Sequence, residues 1–215
     1  VNVVCAHDLL DGKARPKGGG KSMTPEEWRE WITTKGVPQT EAGAWVRPNP
    51  CGAGSGAGGA ITDADVTAHR FLLLESDVLP LPTQLALYRA LRLPIAMVVE
   101  SGGHSAHAWL KLEAKSAELY RDMAARVLAA LLPFGIDQAN KNPSRLSRLP
   151  GAKRIIGASN GGLQRLLWLD PKCEPLTEPM LADFEQSLSL PAVQDQPYRS
   201  VVLNRETRYM ELINN

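Results

Sequence analysis

The chain has 215 residues, 24 Lys and Arg against 23 Asp and Glu for a net charge of +1, and is 44% hydrophobic and 22% charged. This suits one globular domain with at most a small appended subdomain and a substantial core. It excludes a membrane-spanning chain, because Arg, Pro or Glu breaks every apolar run short of the roughly 18 residues a span requires. Cys5, Cys51 and Cys173 are odd in number and scattered, which excludes a disulfide framework or a Cys-based zinc site and points to a reducing compartment.

In chain order, residues 11–22 are rich in Gly and Lys. Gly18-Gly19-Gly20-Lys21-Ser22 matches a phosphate loop poorly, since the first Gly of that motif would fall on Ala14 or a neighbour, with no convincing buried strand before it. The segment reads as a flexible basic loop. Thr24-Pro25-Glu26-Glu27 predicts a helix start, with Thr24 as N-cap, Pro25 in first position and Glu27 closing a capping box; the helix should run to Lys35 and stop at Gly36. Trp28, Trp31 and Ile32 share one face for packing. The glycine tract from Gly52 to Gly59 cannot pack a core and reads as a mobile loop, either a linker or a cover over substrate.

A strand is expected over 70–76, a helix over 82–91 and a strand over 94–99. Gly102-Gly103 then turns the chain into an antiparallel strand from Ser105. A long amphipathic helix should span 116–132, and a last strand 163–169. This order is that of a sheet covered by two helices, an α/β sandwich. The tail from Pro191 reads as irregular until 199–203. The start, Val1-Asn2-Val3, has no secretory signal pattern and is expected to be that of an excised domain.

Chemistry concentrates in four places. Glu75 and Asp77, one residue apart at the end of an apolar strand, project to one side and can grip a divalent cation. Ser105 and His107 share a face by the same period of two, on a strand that can lie beside the first. Asp137 supplies a third carboxylate, so that two ions could share three acids. From Lys141 to Leu167 the chain carries Lys141, Arg145, Arg148, Lys153, Arg154 and Arg165 and no acid, a stripe suited to phosphate. Taken singly, His107 also fits a core position, Asp137 a turn cap, and Arg145 and Arg148 a solvated surface.

The strings Glu75-Ser-Asp77, Ser101-Gly-Gly-His-Ser105-Ala-His107-Ala-Trp109, Asp137 and Asn142-Pro-Ser-Arg145-Leu-Ser-Arg148-Leu-Pro-Gly151 together resemble the archaeo-eukaryotic primase superfamily, in its phage and plasmid primase-polymerase branch. The resemblance spans about residues 45–155. It implies an α/β (α+β) fold with an RRM-like catalytic sheet flanked by helices and a small N-terminal α/β subdomain. The implied organisation is an N-terminal part over 1–60, a catalytic core over 61–170 and a C-terminal extension over 171–215.

The resemblance further implies a DNA primase and polymerase acting on single-stranded DNA template with nucleoside triphosphates. It assigns Glu75, Asp77 and Asp137 to two catalytic Mg2+ or Mn2+ ions; superfamily members often carry a zinc-binding module near this core, but this sequence supplies no ligands for one, and no zinc is expected. Ser105, His107 and His104 are assigned to nucleotide phosphates, Arg145 and Arg148 to phosphate or template, and Lys141, Lys153 and Arg154 to nucleic acid. A helicase region in the same full-length polypeptide and a bacterial host cytoplasm are expected, with no membrane partner. Two other readings remain. A replication-initiator nicking endonuclease would need a His-x-His pair, which is absent, and a tyrosine nucleophile, for which Tyr120 is the candidate. A non-catalytic single-strand binder would need stacked aromatics over a basic groove, and aromatics make up only 6% of the chain.

Overall fold

The computed structural model describes residues 1–189, so the expected strand over 199–203 lies outside the described residues. Two sheets face one another. The larger is built in the succession β6 (His69–Leu74), α2 (Leu81–Ala90), β7 (Ile95–Glu100), β8 (Ala106–Ala114), α3 (Ala117–Leu131) and β10 (Leu166–Leu169), with strand order β10-β7-β8-β6 and every neighbour antiparallel. This is the expected α+β arrangement of a sheet flanked by helices.

Alternation on the strands explains how the sheet faces two ways. Leu72, Leu74, Ala106, Ala108, Leu110 and Leu112 point to the helices and form the main core with Tyr88, Met123, Val127 and Leu131. The intervening positions, Phe71, Leu73 and then Glu75, with His107 and Trp109 opposite, form the other face. Phe71 and Trp109 pack with ring centroids 5.6 Å apart and planes tilted by 54°. Pairing Leu73 with Trp109 in the ladder puts Glu75 across from His107. Ser116 caps α3 by accepting from the Leu119 amide.

The smaller sheet has the order β4-β1-β5-β9, from Lys21–Ser22, Asn2–Val4, Trp45–Val46 and Ser147–Arg148. Helix α1 (Pro25–Lys35) covers it, with the expected Thr24/Glu27 capping box and its end at Gly36. Trp28 is buried there with Val3, Ala44, Val46 and Ala152, whereas Ile32 is exposed, the packing face being narrower than the apolar periodicity indicates. Strand β9 returns to this sheet from far along the chain and ties it to the loops that follow α3.

Two expectations are corrected. Residues 11–22 are not a flexible loop. Strands β2 (His7–Leu10) and β3 (Lys13–Pro16) pair as a hairpin around Asp11 and Gly12, both at positive φ (51° and 71°), and β4 follows. Two consecutive positive φ values are what a type I′ turn requires, and Asp-Gly supplies them. The 52–59 tract is not a mobile linker. The Gly56 amide bonds to Ala60, Asp65 accepts from Ser55 and Thr62, and Gly59 lies so close to Gly19 that a Cβ there would strike its carbonyl oxygen. Beyond β10 the chain forms a further, unanticipated helix, α4 (Glu178–Ser189), whose Leu181 is buried and whose Glu185 pairs with Arg126 at 2.7 Å.

Asn49 fastens β6 to the loop before β9. Its Oδ1 accepts from the Arg70 and Phe71 amides at 2.7 and 2.8 Å, and its Nδ2 donates to the Phe71 and Pro143 carbonyls at 2.9 Å each. It is buried, so Asn49→Leu strands the Arg70 and Phe71 amides and the Pro143 carbonyl at about 1–3 kcal/mol apiece before relaxation, while the Phe71 carbonyl keeps the Tyr120 hydroxyl. Urea denaturation should show a loss of at least about 3 kcal/mol, and a variant as stable as wild type would contradict this role.

Candidate active site

The site forms where β6 ends, β8 begins and β9 crosses beneath them. Helix α2 aligns the first two. Gln84, fully buried, donates from Nε2 to the carbonyls of Ser76 and Leu79 at 3.0 and 2.7 Å and accepts from the Ala106 amide at 2.8 Å. Tyr88 donates its hydroxyl to Leu74 or Ala106, at 3.2 and 3.1 Å. The segment 135–137 is held against the end of β6 by Ser76 Oγ donating to Gly135 and by the Asp137 amide donating to the Glu75 carbonyl at 2.8 Å. Asp137 thus lies beside Glu75 by backbone pairing, and it also caps the following turn through the Ala139 amide.

These loops surround a cavity of about 800 Å³. Glu75, Asp77, Asp137, His104, Ser105, His107, Arg145, Arg148 and Arg154 all line it, whereas Lys141 and Lys153 do not. Ser76, between the two acids, is buried on the other side, so the alternation of β6 carries on past its last residue.

At the centre, His107 Nε2 lies 3.0 Å from Glu75 Oε2. The Arg148 amide and Ser147 Oγ are each 3.3 Å from His107 Nδ1. A backbone N–H can only donate, so Nδ1 accepts and Nε2 carries the hydrogen given to Glu75. Ser147 is fully buried and accepts in turn from Trp109 Nε1 at 2.8 Å. The other oxygen of Glu75 accepts from Asn140 Nδ2 at 3.0 Å, and Asn140 Oδ1 accepts from Arg145 Nε at 2.5 Å. Asp77 is exposed and makes no hydrogen bond or ion pair among the described residues.

Burial opposes ionisation of Glu75 but is outweighed by His107, by the Asn140 hydrogen bond and by Arg145, which bring its carboxyl down to about 2. Arg148 is buried over the Trp45 ring, 4.4 Å from its centroid, and donates to the Ala42 carbonyl at 2.8 Å. Burial foremost, then the nearby Arg154, push its guanidinium below the usual arginine range, with Glu75 working the other way. Burial also lowers Arg154, which donates to the Ile156 carbonyl. Neither arginine has a carboxylate within ion-pair distance among the described residues, so each presents uncompensated positive charge to the cavity.

Among the described residues no three His, Cys, Asp or Glu side chains stand together as a ready ligand group. The three acids share one wall space without converging. Their oxygens are nonetheless hard donors of the kind magnesium and manganese take. Glu75, accepting two hydrogen bonds with about four lone-pair positions, keeps capacity for a cation.

Several site residues were missed in the sequence. Asn140 belongs to no recognisable spacing, and Ser147, though inside the string from Asn142 to Gly151, was given no role. Ser101 receives the Gly103 and Ser105 amides and the Ser105 hydroxyl, shaping the turn before β8. Lys13 and Arg15 enter the cavity wall on the hairpin, which the Asp-Gly signal could have revealed. Tyr120, the candidate nucleophile of a nicking enzyme, is buried under β6 with its hydroxyl 3.3 Å from the Phe71 carbonyl and lies outside the cavity.

No family model matches the chain, and no curated protein matches it by sequence. Among solved structures, the fold is similar to the AEP domain of the primase-polymerase (PrimPol) of cyanophage S-2L, with a TM-score of 0.52 and 20% identity over 82% of this chain and 80% of that one. The likeness is one of fold. No helix among the described residues is long and apolar enough to cross a membrane.

The depressed Glu75 carboxyl is linked to stability. Its folded value, about 2, lies below the ordinary 4.5, so its contribution is present in full above that ordinary value and is lost as the pH falls towards 2. In metal-free buffer, wild type should exceed Glu75→Gln in stability at pH 6, and urea melts at pH 3 should show the gap narrowing. A gap independent of pH would contradict the shift.

Proposed function

We propose that the chain is a template-dependent nucleotidyltransferase that makes and extends primers on single-stranded DNA in phage or plasmid replication. The observation that carries the reading is the His107–Glu75 pair, set in one cavity with two further acids and four arginines. The fold, which the chain shares with a phage primase-polymerase domain, supports it.

In this reading Glu75, Asp77 and Asp137 hold divalent magnesium or manganese. The metal would supply charge neutralisation for the attacking and leaving oxygens of an in-line displacement at phosphorus. The remaining work falls to the chain's own groups. Arg148 and Arg154 receive the phosphate charge, and Arg145, held side-on by Asn140, orients a neighbouring phosphate. His107, with its hydrogen fixed on Nε2, exchanges its bond to Glu75 for one to a phosphate oxygen as the triphosphate enters. The Ser105 hydroxyl, on exchanging its bond to Ser101, and His104 on the cavity wall add donors.

A strand 3′-hydroxyl gives up its proton to solvent and attacks the α-phosphate, a new P–O bond forms, and the bond to pyrophosphate breaks. No side chain becomes covalently attached, so catalysis is placement and charge stabilisation. The position of Tyr120 opposes the nicking alternative. A pure binding module is disfavoured because Trp45, the one Phe, Tyr or Trp on the cavity wall, is covered by Arg148 and not open for base stacking. A helicase region in a longer polypeptide and a bacterial host cytoplasm accord with this role.

Replacing Glu75 and Asp77 together with Ala should lower nucleotide incorporation on a single-stranded template at least about a thousand-fold, with an unchanged circular dichroism spectrum. Undiminished incorporation would refute the assignment.

A further inference from the structure

We propose that the β2–β3 hairpin is a clamp for a single nucleic-acid strand, with Lys13 and Arg15 engaging successive backbone phosphates as the strand enters the cavity. The inference rests on the proposed function for its ligand class and goes beyond it in assigning these residues and this element.

Five consecutive residues, from Gly12 to Pro16, line the cavity that holds Glu75 and His107. The hairpin is a defined arm. Its turn at Asp11 and Gly12 fixes the register His7–Pro16, Asp8–Arg15, Leu9–Ala14 and Leu10–Lys13. Its base is secured by the Lys17 amide donating to the Ala6 carbonyl at 2.8 Å and by Lys17 pairing with Asp8 at 2.8 Å. Thr40 Oγ1 lies 3.3 Å from His7 Nδ1. On the other side Ala14 packs against the small cluster of Val4, Ala42 and Trp45, so the arm leans on the wall next to Arg148.

Lys13 and Arg15 are exposed, two residues apart on one strand, and neither has an ion-pair partner among the described residues. Residues 12–22 carry Lys13, Arg15, Lys17 and Lys21 and no acid. A period of two places Lys13 and Arg15 on one face about 6.7 Å apart. Adjacent phosphates of a triphosphate share a bridging oxygen and stand much closer than that. Successive phosphodiesters are separated by a whole sugar, so the spacing favours a strand over a nucleotide. Leu10, the cross-strand partner of Lys13, shares this face and is 57% exposed. It gives an apolar surface for a sugar or base beside the two cations.

The test compares wild type with Lys13→Ala/Arg15→Ala by fluorescence anisotropy of a labelled oligothymidylate across a salt series. Deoxynucleoside triphosphate affinity is measured in parallel by calorimetry with manganese. The variant should bind the oligonucleotide at least tenfold more weakly. Its salt slope should be shallower by about 1.4, since each phosphate contact to a single strand contributes about 0.7. Triphosphate affinity should be unchanged. Both side chains are exposed, and a thermal melt matching wild type establishes that the variant is folded. Equal oligonucleotide binding and slope in variant and wild type overturn the clamp alone. A loss confined to triphosphate binding also overturns it, by reassigning the arm to the nucleotide. Failure of wild type to bind any oligonucleotide, with or without manganese, instead overturns the functional reading beneath it.

Discussion

The imidazole of His107 is the point on which the two sheets agree. It rises from β8 of the larger sheet, takes its Nδ1 hydrogen bonds from Ser147 and Arg148 of β9 in the smaller one, and gives its Nε2 hydrogen to Glu75. Because a backbone amide dictates the tautomer, the donor aimed at Glu75 is fixed by the fold and not by solvent. The network extends from Trp109 through Ser147 and His107 to Glu75, then through Asn140 to Arg145. Every member is held by a neighbour whose own position is set by a strand or a capped turn, which is how a site keeps its geometry before ligand arrives.

The electrostatics follow from that frame. Acids stand just past the end of β6 and before the turn at 138–141, while Arg145 precedes β9, Arg148 lies on it and Arg154 follows it. Burial drives the Arg148 guanidinium and the Glu75 carboxyl towards their neutral forms; His107, Asn140 and Arg145 reverse this for Glu75, and nothing in the protein reverses it fully for Arg148. A polyanion carrying divalent cations satisfies both kinds of group at once, its phosphates meeting the arginines and its cations the acids. A neutral ligand satisfies neither. This polarity argues for a metal–nucleotide complex more strongly than any single residue does.

Much of the site was legible in the sequence where the signal is local. The spacing of Glu75 and Asp77, the pairing of Ser105 with His107 and the Thr24 capping box depend on periods of two or on one helical turn, and the structure keeps them. The identity of the partners was not legible. Asn140 and Ser147 matter because tertiary pairing lays the turn after α3 against β6 and returns β9 to the small sheet, and no window of sequence contains those events. The hairpin was obscured because glycine and lysine composition outweighed the two-residue Asp-Gly turn that defines it. The glycine tract was misjudged for a related reason: Gly54 within it and Gly19 outside it each let the backbone come close to the Gly59 carbonyl, which composition alone cannot distinguish from a linker. Lys141 and Lys153 belong to the same basic stripe by sequence, yet they do not line the cavity that Arg145, Arg148 and Arg154 enter.

The central claim is that one cavity takes a nucleoside triphosphate together with its divalent cation. Isothermal titration calorimetry of the protein with a deoxynucleoside triphosphate, in the presence and absence of manganese, tests it most directly. The account predicts saturable one-to-one binding with manganese and a large loss of affinity without it. Equal affinity in both conditions, or no binding in either, would contradict it.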